Sequence, residues 1–482
     1  MITRRRQVLG TILVMTGTFV SAMDTSVVGT AMPTIIGELG GIDRYAWVFS
    51  AYLLASTVAT PIFGRLADMY GRKSVYFGAL VGFVAFSMLA GTSTGINELI
   101  VLRGLQGLAA GALIPTGFTI VGDLYDRATR AKISGLFSTV WVGAAILGPV
   151  IGGFLTQVLS WRWTFYVNLP IGLVALALLL FGYRDTGEHH RQRIDWRGAI
   201  AFTTGVTSLM LGLNDLAPIV TVPVAVALIV LFLRLESRTD VPFLDLRLMR
   251  DPLIGAALGM TLAAGALQFG ATSFIPPFVQ GVQGGQPAEA GLVLGALSIG
   301  WTLGSTSIGW VLLRIGVRRV VVAGSVVLVA SGVGLALVTA SSSIPLVAAL
   351  SAVIGLGMGL TGTPILVTVQ TSVGYAQRAT VTSLVQFARS LGGAAGVAGL
   401  GSLLTASLGA SAGRSAVLLD PVARQDLDPS ALQPIRALLA SGLHAVFVAM
   451  VVVAVAGTLL ARRLPNEMPE EASPFGAPTA AD

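Results

Sequence analysis

The chain has 482 residues, of which 54% are hydrophobic and 11% charged, and its mean hydropathy is +0.82. A water-soluble protein of that composition would expose large apolar patches and aggregate, so the surrounding solvent is mostly lipid. Cysteine is absent, which excludes disulfides, thiolate metal sites and cysteine nucleophiles together; the net charge of +7 is accounted for by membrane topology, with no need of nucleic acid.

Apolar stretches of about 20 residues recur from end to end, the length a helix needs to cross a hydrocarbon core of about 30 Å. Backbone groups in lipid must be satisfied within the segment, so the expected fold is an all-α membrane bundle. In chain order the spans fall at 7–30, 46–66, 75–95, 98–121, 132–157, 162–183, 197–216, 218–233, 252–278, 289–312, 319–340, 344–367, 379–404 and 437–460, fourteen in all. The first follows Arg4, Arg5 and Arg6, but its length, its Asp24 and its lack of a cleavage site read as a retained span and not a signal peptide. Most of the 30 Lys and Arg residues then fall on one side, including Arg65, Arg72 and Lys73, Arg127 to Lys132, Arg184 to Arg197, Arg234 to Arg250, and Arg462 and Arg463. That asymmetry puts both termini in the cytoplasm of a cell with the protein in its inner membrane. A twelve-span alternative would merge or drop the 197–233 pair; the pair is kept because basic loops flank one side and Asn214 to Pro218 form a turn on the other.

The two ends of the chain resemble each other at an offset of about 245 residues, as transporter halves do. Gly64 to Lys73 after the second span matches Gly309 to Arg319 after the tenth. Asp24 and Pro33 correspond to Gln268 and Pro277, and Gly107 with Gly111 to Gly355 with Gly359, a spacing that lets helices approach closely. The expected architecture is fourteen transmembrane helices as 6+2+6 with pseudo-twofold related halves. Residues 1–183 form the first six-helix domain, 184–251 an inserted pair, 252–463 the second six-helix domain, and 464–482 a disordered cytoplasmic tail.

Three strings carry a family resemblance. Gly64-x-Leu-Ala-Asp68-x-x-Gly71-Arg72-Lys73 resembles the signature loop between spans 2 and 3 of the major facilitator superfamily. Gly148-Pro149-x-x-Gly152-Gly153 is similar to the motif of its antiporters. Met23-Asp24-Thr25-Ser26 through Pro33, with Trp161 to Pro170, resembles the fourteen-span drug:proton antiporter branch; the match runs from about residue 7 to 463. The resemblance implies two six-helix domains rocking about a central cavity, and export of amphiphilic or cationic compounds driven by proton entry. It also implies a charge cluster of Asp68, Arg72 and Asp123, a role for Arg103 in proton coupling, and a domain-interface role for Gly148 to Gly153.

The residues themselves reach part of that picture. Opposite charges at Asp68, Arg72 and Asp123, with Gly64 and Gly71 placed for a tight connection, can form a conformational latch; the plain alternative is a solvated loop that only fixes topology. Asp24 is the only carboxylate well inside a span, about 25 Å from the inner face, and Arg103 lies about 8 Å below the outer one, so the two can share a level. Their pairing is expected either to couple protons or to be a static bridge that fixes packing. Arg389, eleven residues into its span, needs a partner at the bilayer centre; with Asp24, Gln268 and Gln386 it is a candidate for the substrate cavity, or else it holds the halves together. Gly and Pro at 148, 149, 152 and 153 make a bendable, closely packing helix.

The expected activity is proton-coupled export of lipophilic neutral or monocationic compounds, because spans 10 and 13 lack the further acids seen in relatives that expel divalent cations. The alternative is transport of an endogenous lipid or metabolite by export or symport, since function sits in the cavity and not in the fold. The expected partners are the small-molecule substrate, protons and membrane lipids, with no nucleic acid, cofactor or metal, and the expected state is a monomer. No cluster of nucleophile, base or metal ligands at membrane depth speaks for an enzyme, and no charged ring or filter-like segment for a channel. Asp215 reads as a turn residue, and 429–443 as an amphipathic helix on the outer surface before the last span.

Overall fold

The computed structural model describes residues 4–125, 127–183, 196–213, 218–238, 246–374, 377–411, 415–420, 424, 429–464 and 466. Asp215, the loop 184–195 and all of the tail beyond residue 464 except Asn466 lie outside them. The described residues are helical almost throughout. In chain order the helices are α1 (Arg4–Leu39), α2 (Tyr45–Tyr70), α3 (Arg72–Gly91), α4 (Ile96–Leu124), α5 (Arg127–Val158), the single turn α6 (Trp163–Tyr166) and α7 (Asn168–Gly182). There follow α8 (Trp196–Leu213), α9 (Pro218–Glu236), the short α10 (Leu246–Met249), α11 (Pro252–Pro277), α12 (Pro287–Ile315), α13 (Val317–Ala336), α14 (Ile344–Thr371), α15 (Arg378–Leu408) and α16 (Pro429–Ala461).

Twelve segments among the described residues are long and apolar enough to cross a membrane, α6 and α7 making one of them. The expected fourteen spans are therefore matched in part. Helices α2 and α8 are present, with 26 and 18 residues, but fall outside the twelve. Both carry hydroxyl side chains that bond back to their own helix, Thr57 to Leu53 and Thr60 to Ser56 in α2, Thr203 to Ala199 and Thr204 to Ile200 in α8. Two further differences concern boundaries. Helix α11 runs on into a π-helical turn, Phe278–Val282, buried at all five residues. The separate surface helix expected at 429–443 is instead the first part of α16, because Leu439, Leu443, Phe447, Met450 and Ala454 continue one buried stripe at helical spacing.

Helices of each half cross where small residues allow backbone contact. A Cβ at Gly107 or Gly111 of α4 would run into the carbonyls of Tyr52 and Ser56 on α2; Gly355 and Gly359 of α14 stand in the same relation to Leu297 and Trp301 on α12. The connections repeat as well. Gly71, the single residue between α2 and α3, has φ 89° and ψ 140°, and Gly316, 245 positions on between α12 and α13, has φ 83° and ψ 162°. A side chain is strained in that region by about 1–3 kcal/mol. Gly71→Ala and Gly316→Ala are each expected to lower stability by that order in thermal denaturation of the purified protein, while Gly64→Ala, where a Cβ meets nothing within 4 Å, should be neutral.

Near face is used below for the side of the bundle where α1 begins, and far face for the side where it ends. The halves touch toward the far face. Tyr45 on α2 donates its hydroxyl to the Ser273 carbonyl on α11, Ser50 donates to Ala394 O on α15 at 3.2 Å, and Ala46 packs where Gly401 lacks a Cβ.

Candidate functional site

Helix α1 carries one ionisable residue between Arg6 and Glu38, Asp24, and it is 0% exposed. A buried carboxylate demands partners, and α4 and α7 supply them. Arg103 on α4, also 0% exposed, donates from Nη1 to Asp24 Oδ2 at 2.5 Å and to Gln106 Oε1, one turn along, at 2.7 Å. The other carboxylate oxygen accepts from Gln106 Nε2 and from Asn168 Nδ2, both at 2.9 Å. Asn168 is positioned by the break after α6: it opens α7, and its amide also donates to Ser87 Oγ on α3 at 2.9 Å. Ser87 in turn donates to the Phe165 carbonyl at 2.9 Å. Tyr52 on α2 covers the guanidinium, with Cζ 4.1 Å from its ring centroid.

The network is closed at Asp24 and open at Arg103. Both carboxylate oxygens are used, whereas Arg103 Nε and Nη2 and Asn168 Oδ1 are buried without a partner among the described residues. Without the Asp24 charge, Arg103 would keep Gln106 and the Tyr52 and Phe165 rings. Asp24 does not border open space here, although it stood among the candidate cavity residues.

The loop between α2 and α3 is only partly in view. The side chains of Asp68 and Asp123 lie outside the described residues. Arg72 Nη1 reaches Thr119 O at 3.5 Å, and Lys73 Nζ caps the end of α7 through Tyr183 O at 2.8 Å and Leu180 O at 3.4 Å.

The glycines of α5 serve two neighbours. Gly148 abuts Ser26 and Met23 of α1, and Gly152 abuts Thr30 and Val27, whereas Gly153 meets Pro287 and Ala288 at the start of α12. Gly291 of α12 meets the Pro149 carbonyl in return. The stretch from 148 to 153 thus lies between the first and second halves of the chain.

Further contacts on the far face were not legible in the sequence. Gln280, in the π turn, is 0% exposed and donates from Nε2 to Thr30 O at 3.0 Å. Its own carbonyl accepts from Arg424 Nη1 at 2.6 Å, and Arg424 Nη2 reaches Gly285 O at 3.1 Å. Burial and the neighbouring Arg436 charge pull the Arg424 guanidinium below its ordinary pKa, against Asp420 and Glu289, which push it up. Trp161 is 1% exposed and donates to Glu38 Oε2 at 2.8 Å beside the Arg162–Glu38 ion pair at 3.0 Å.

In the second half, Arg389 of α15 is half-buried and has Trp301 of α12 as its aromatic neighbour, Cζ to ring centroid 5.9 Å. Gln386, one turn before it, is exposed, and Gln268 on α11 is half-buried.

A bundle of membrane-crossing helices in two similar halves, with a buried charge network in one of them, defines a multi-pass membrane protein. The chain belongs to the Major Facilitator Superfamily, whose family model matches residues 14–397. It is 34% identical over 402 residues to the multidrug transporter protein MdtP of Bacillus subtilis (strain 168), covering 81% of this chain and 74% of that one. It is 36% identical over 302 residues to multidrug resistance protein 3 of the same organism, 61% of this chain and 58% of the relative. Among solved structures, a bacterial homologue of the human lysosomal transporter Spinster, inward-facing and occupied, superposes with a TM-score of 0.71 at 15% identity, covering 96% and 97% of the two chains, a likeness of fold.

Proposed function

We propose that this chain exports lipophilic small molecules, neutral or monocationic, in exchange for protons, as a fourteen-span drug:proton antiporter. The observation that carries the proposal is the fully buried Asp24–Arg103 pair with Gln106 and Asn168 on its second oxygen. Burying such a pair is costly, and well-packed apolar residues would often serve stability better, so a bridge retained with two unsatisfied Arg103 nitrogens fits a switch better than a strut. A proton taken up by Asp24 frees Arg103, weakens the tie between α1 and α4, and shifts the balance between two arrangements of the halves.

In this reading residues 1–183 and 252–463 rock against each other about a central cavity, with 184–251 as an inserted pair and the near face in the cytoplasm. Asp68, Arg72 and Asp123 latch the near face, and Gly148 to Gly153, Gln280 and Arg424 close the far one. Two relatives bear multidrug names, which supports lipophilic substrates. Cells expressing the protein are expected to retain several-fold less of a lipophilic dye than cells expressing Asp24→Asn, with expression matched by immunoblot. Equal retention across a panel of such dyes would sink drug export and favour an endogenous lipid or metabolite.

A further inference from the structure

The charges left inside the bundle set the sign of its substrate. Away from their ends, the described membrane-crossing helices carry three ionised side chains, Asp24, Arg103 and Arg389. The first two neutralise each other, and Asp24 has both oxygens occupied. Arg389 is different: among the described residues no carboxylate pairs with it, and the group it meets is the Trp301 ring. The net charge presented at that depth is therefore positive, which disfavours a cation and attracts an anion.

Arg389 spans two helices that barely meet. Helix α15 packs on α11 and α2, and α12 packs on α14 and α5, with α15 and α12 scarcely touching. A side chain that leaves α15 and comes within 6 Å of a ring on α12 therefore crosses the space between them, and Arg389 remains half-buried there. The guanidinium fork matches the planar geometry of a carboxylate, the Trp301 face offers an apolar platform, and the exposed Gln386 amide stands one turn away.

We infer that Arg389 and Trp301 form a binding site for the carboxylate of a lipophilic acid, which rests on the export reading and replaces its monocations by amphiphilic anions. The test uses purified full-length protein in detergent and two matched probes, dansyl-phenylalanine and its methyl ester, with binding read from dansyl emission on tryptophan excitation. At neutral pH the acid is expected to bind wild type about ten-fold more tightly than the ester. Arg389→Gln should bring the ratio to about one by weakening the acid alone, Arg389→Lys should keep part of it, and Trp301→Phe should weaken both probes. A wild-type ratio near one, a ratio that survives Arg389→Gln, or no binding of either probe overturns the site. Export is scored separately, as loss of preloaded ester from cells. Ester export with no acid preference would leave the export reading standing alone, and acid preference without export of either probe would leave the site standing alone.

Discussion

Replacing Arg103 by Met should destabilise the protein by about 3–5 kcal/mol, the loss expected when one partner of a buried ion pair is removed and the other is left uncompensated. Asp24 would keep Gln106 and Asn168 on one oxygen, but the other would face an apolar space between α1 and α4. Adding Asp24→Asn removes the stranded charge, and the double variant is expected to recover most of the lost stability, because residues in direct contact do not act additively. It should still fail to couple transport to protons. Thermal unfolding in detergent, followed by size-exclusion chromatography, measures the first part, and dye efflux the second. If the double variant were no more stable than Arg103→Met alone, the pair would not be the balanced unit described above; if it transported normally, the pair would be a strut.

The second large effect concerns closure of the far face. Ala46 at the start of α2 and Gly401 near the end of α15 are so close that a Cβ on Gly401 would press on that of Ala46. That gap is shorter than the roughly 3.5–4.5 Å between the Cβ atoms of a disulfide, so cysteines at both positions are expected to cross-link under mild oxidation once the two helices part by about 1–2 Å, and the natural absence of cysteine makes the cross-link easy to assign. Tying α2 to α15 there would hold the halves in the arrangement seen, with Tyr45 on Ser273 and Ser50 on Ala394. Efflux by the double variant should fall at least ten-fold on oxidation and return on reduction, while oxidation should leave the efflux of each single cysteine variant unchanged. Full transport with the cross-link in place would mean that these helices do not separate during the cycle.

The helical spans were legible because each one must repeat the same apolar length, and lone charges inside them stand out because lipid makes them expensive. Asp24 and Arg103 could therefore be matched by depth alone, and the glycine pairs at 107/111 and 355/359 by spacing. Gln106 and Asn168 could not be found by the same logic, since an uncharged amide in a span carries a smaller penalty and is common enough not to demand a partner. One signal was available: Gln106 stands three residues after Arg103, on the same helix face. Gln280 was hidden in a stretch read as the connection after the ninth span, because the π turn that buries it has no marker in the sequence beyond the preceding Pro276 and Pro277. Arg389 was visible as a charge in need of a partner, but only its place opposite Trp301 gives it a direction.

The most direct test of proton exchange through Asp24 is proton movement driven by substrate in proteoliposomes that contain the purified protein and an internal pH indicator. The account predicts that adding a transported dye to wild type moves protons in the opposite direction, and that Asp24→Asn, folded and still able to bind the dye, moves none. Proton movement of equal size in Asp24→Asn, or dye transport by wild type that is indifferent to the pH gradient, would contradict it.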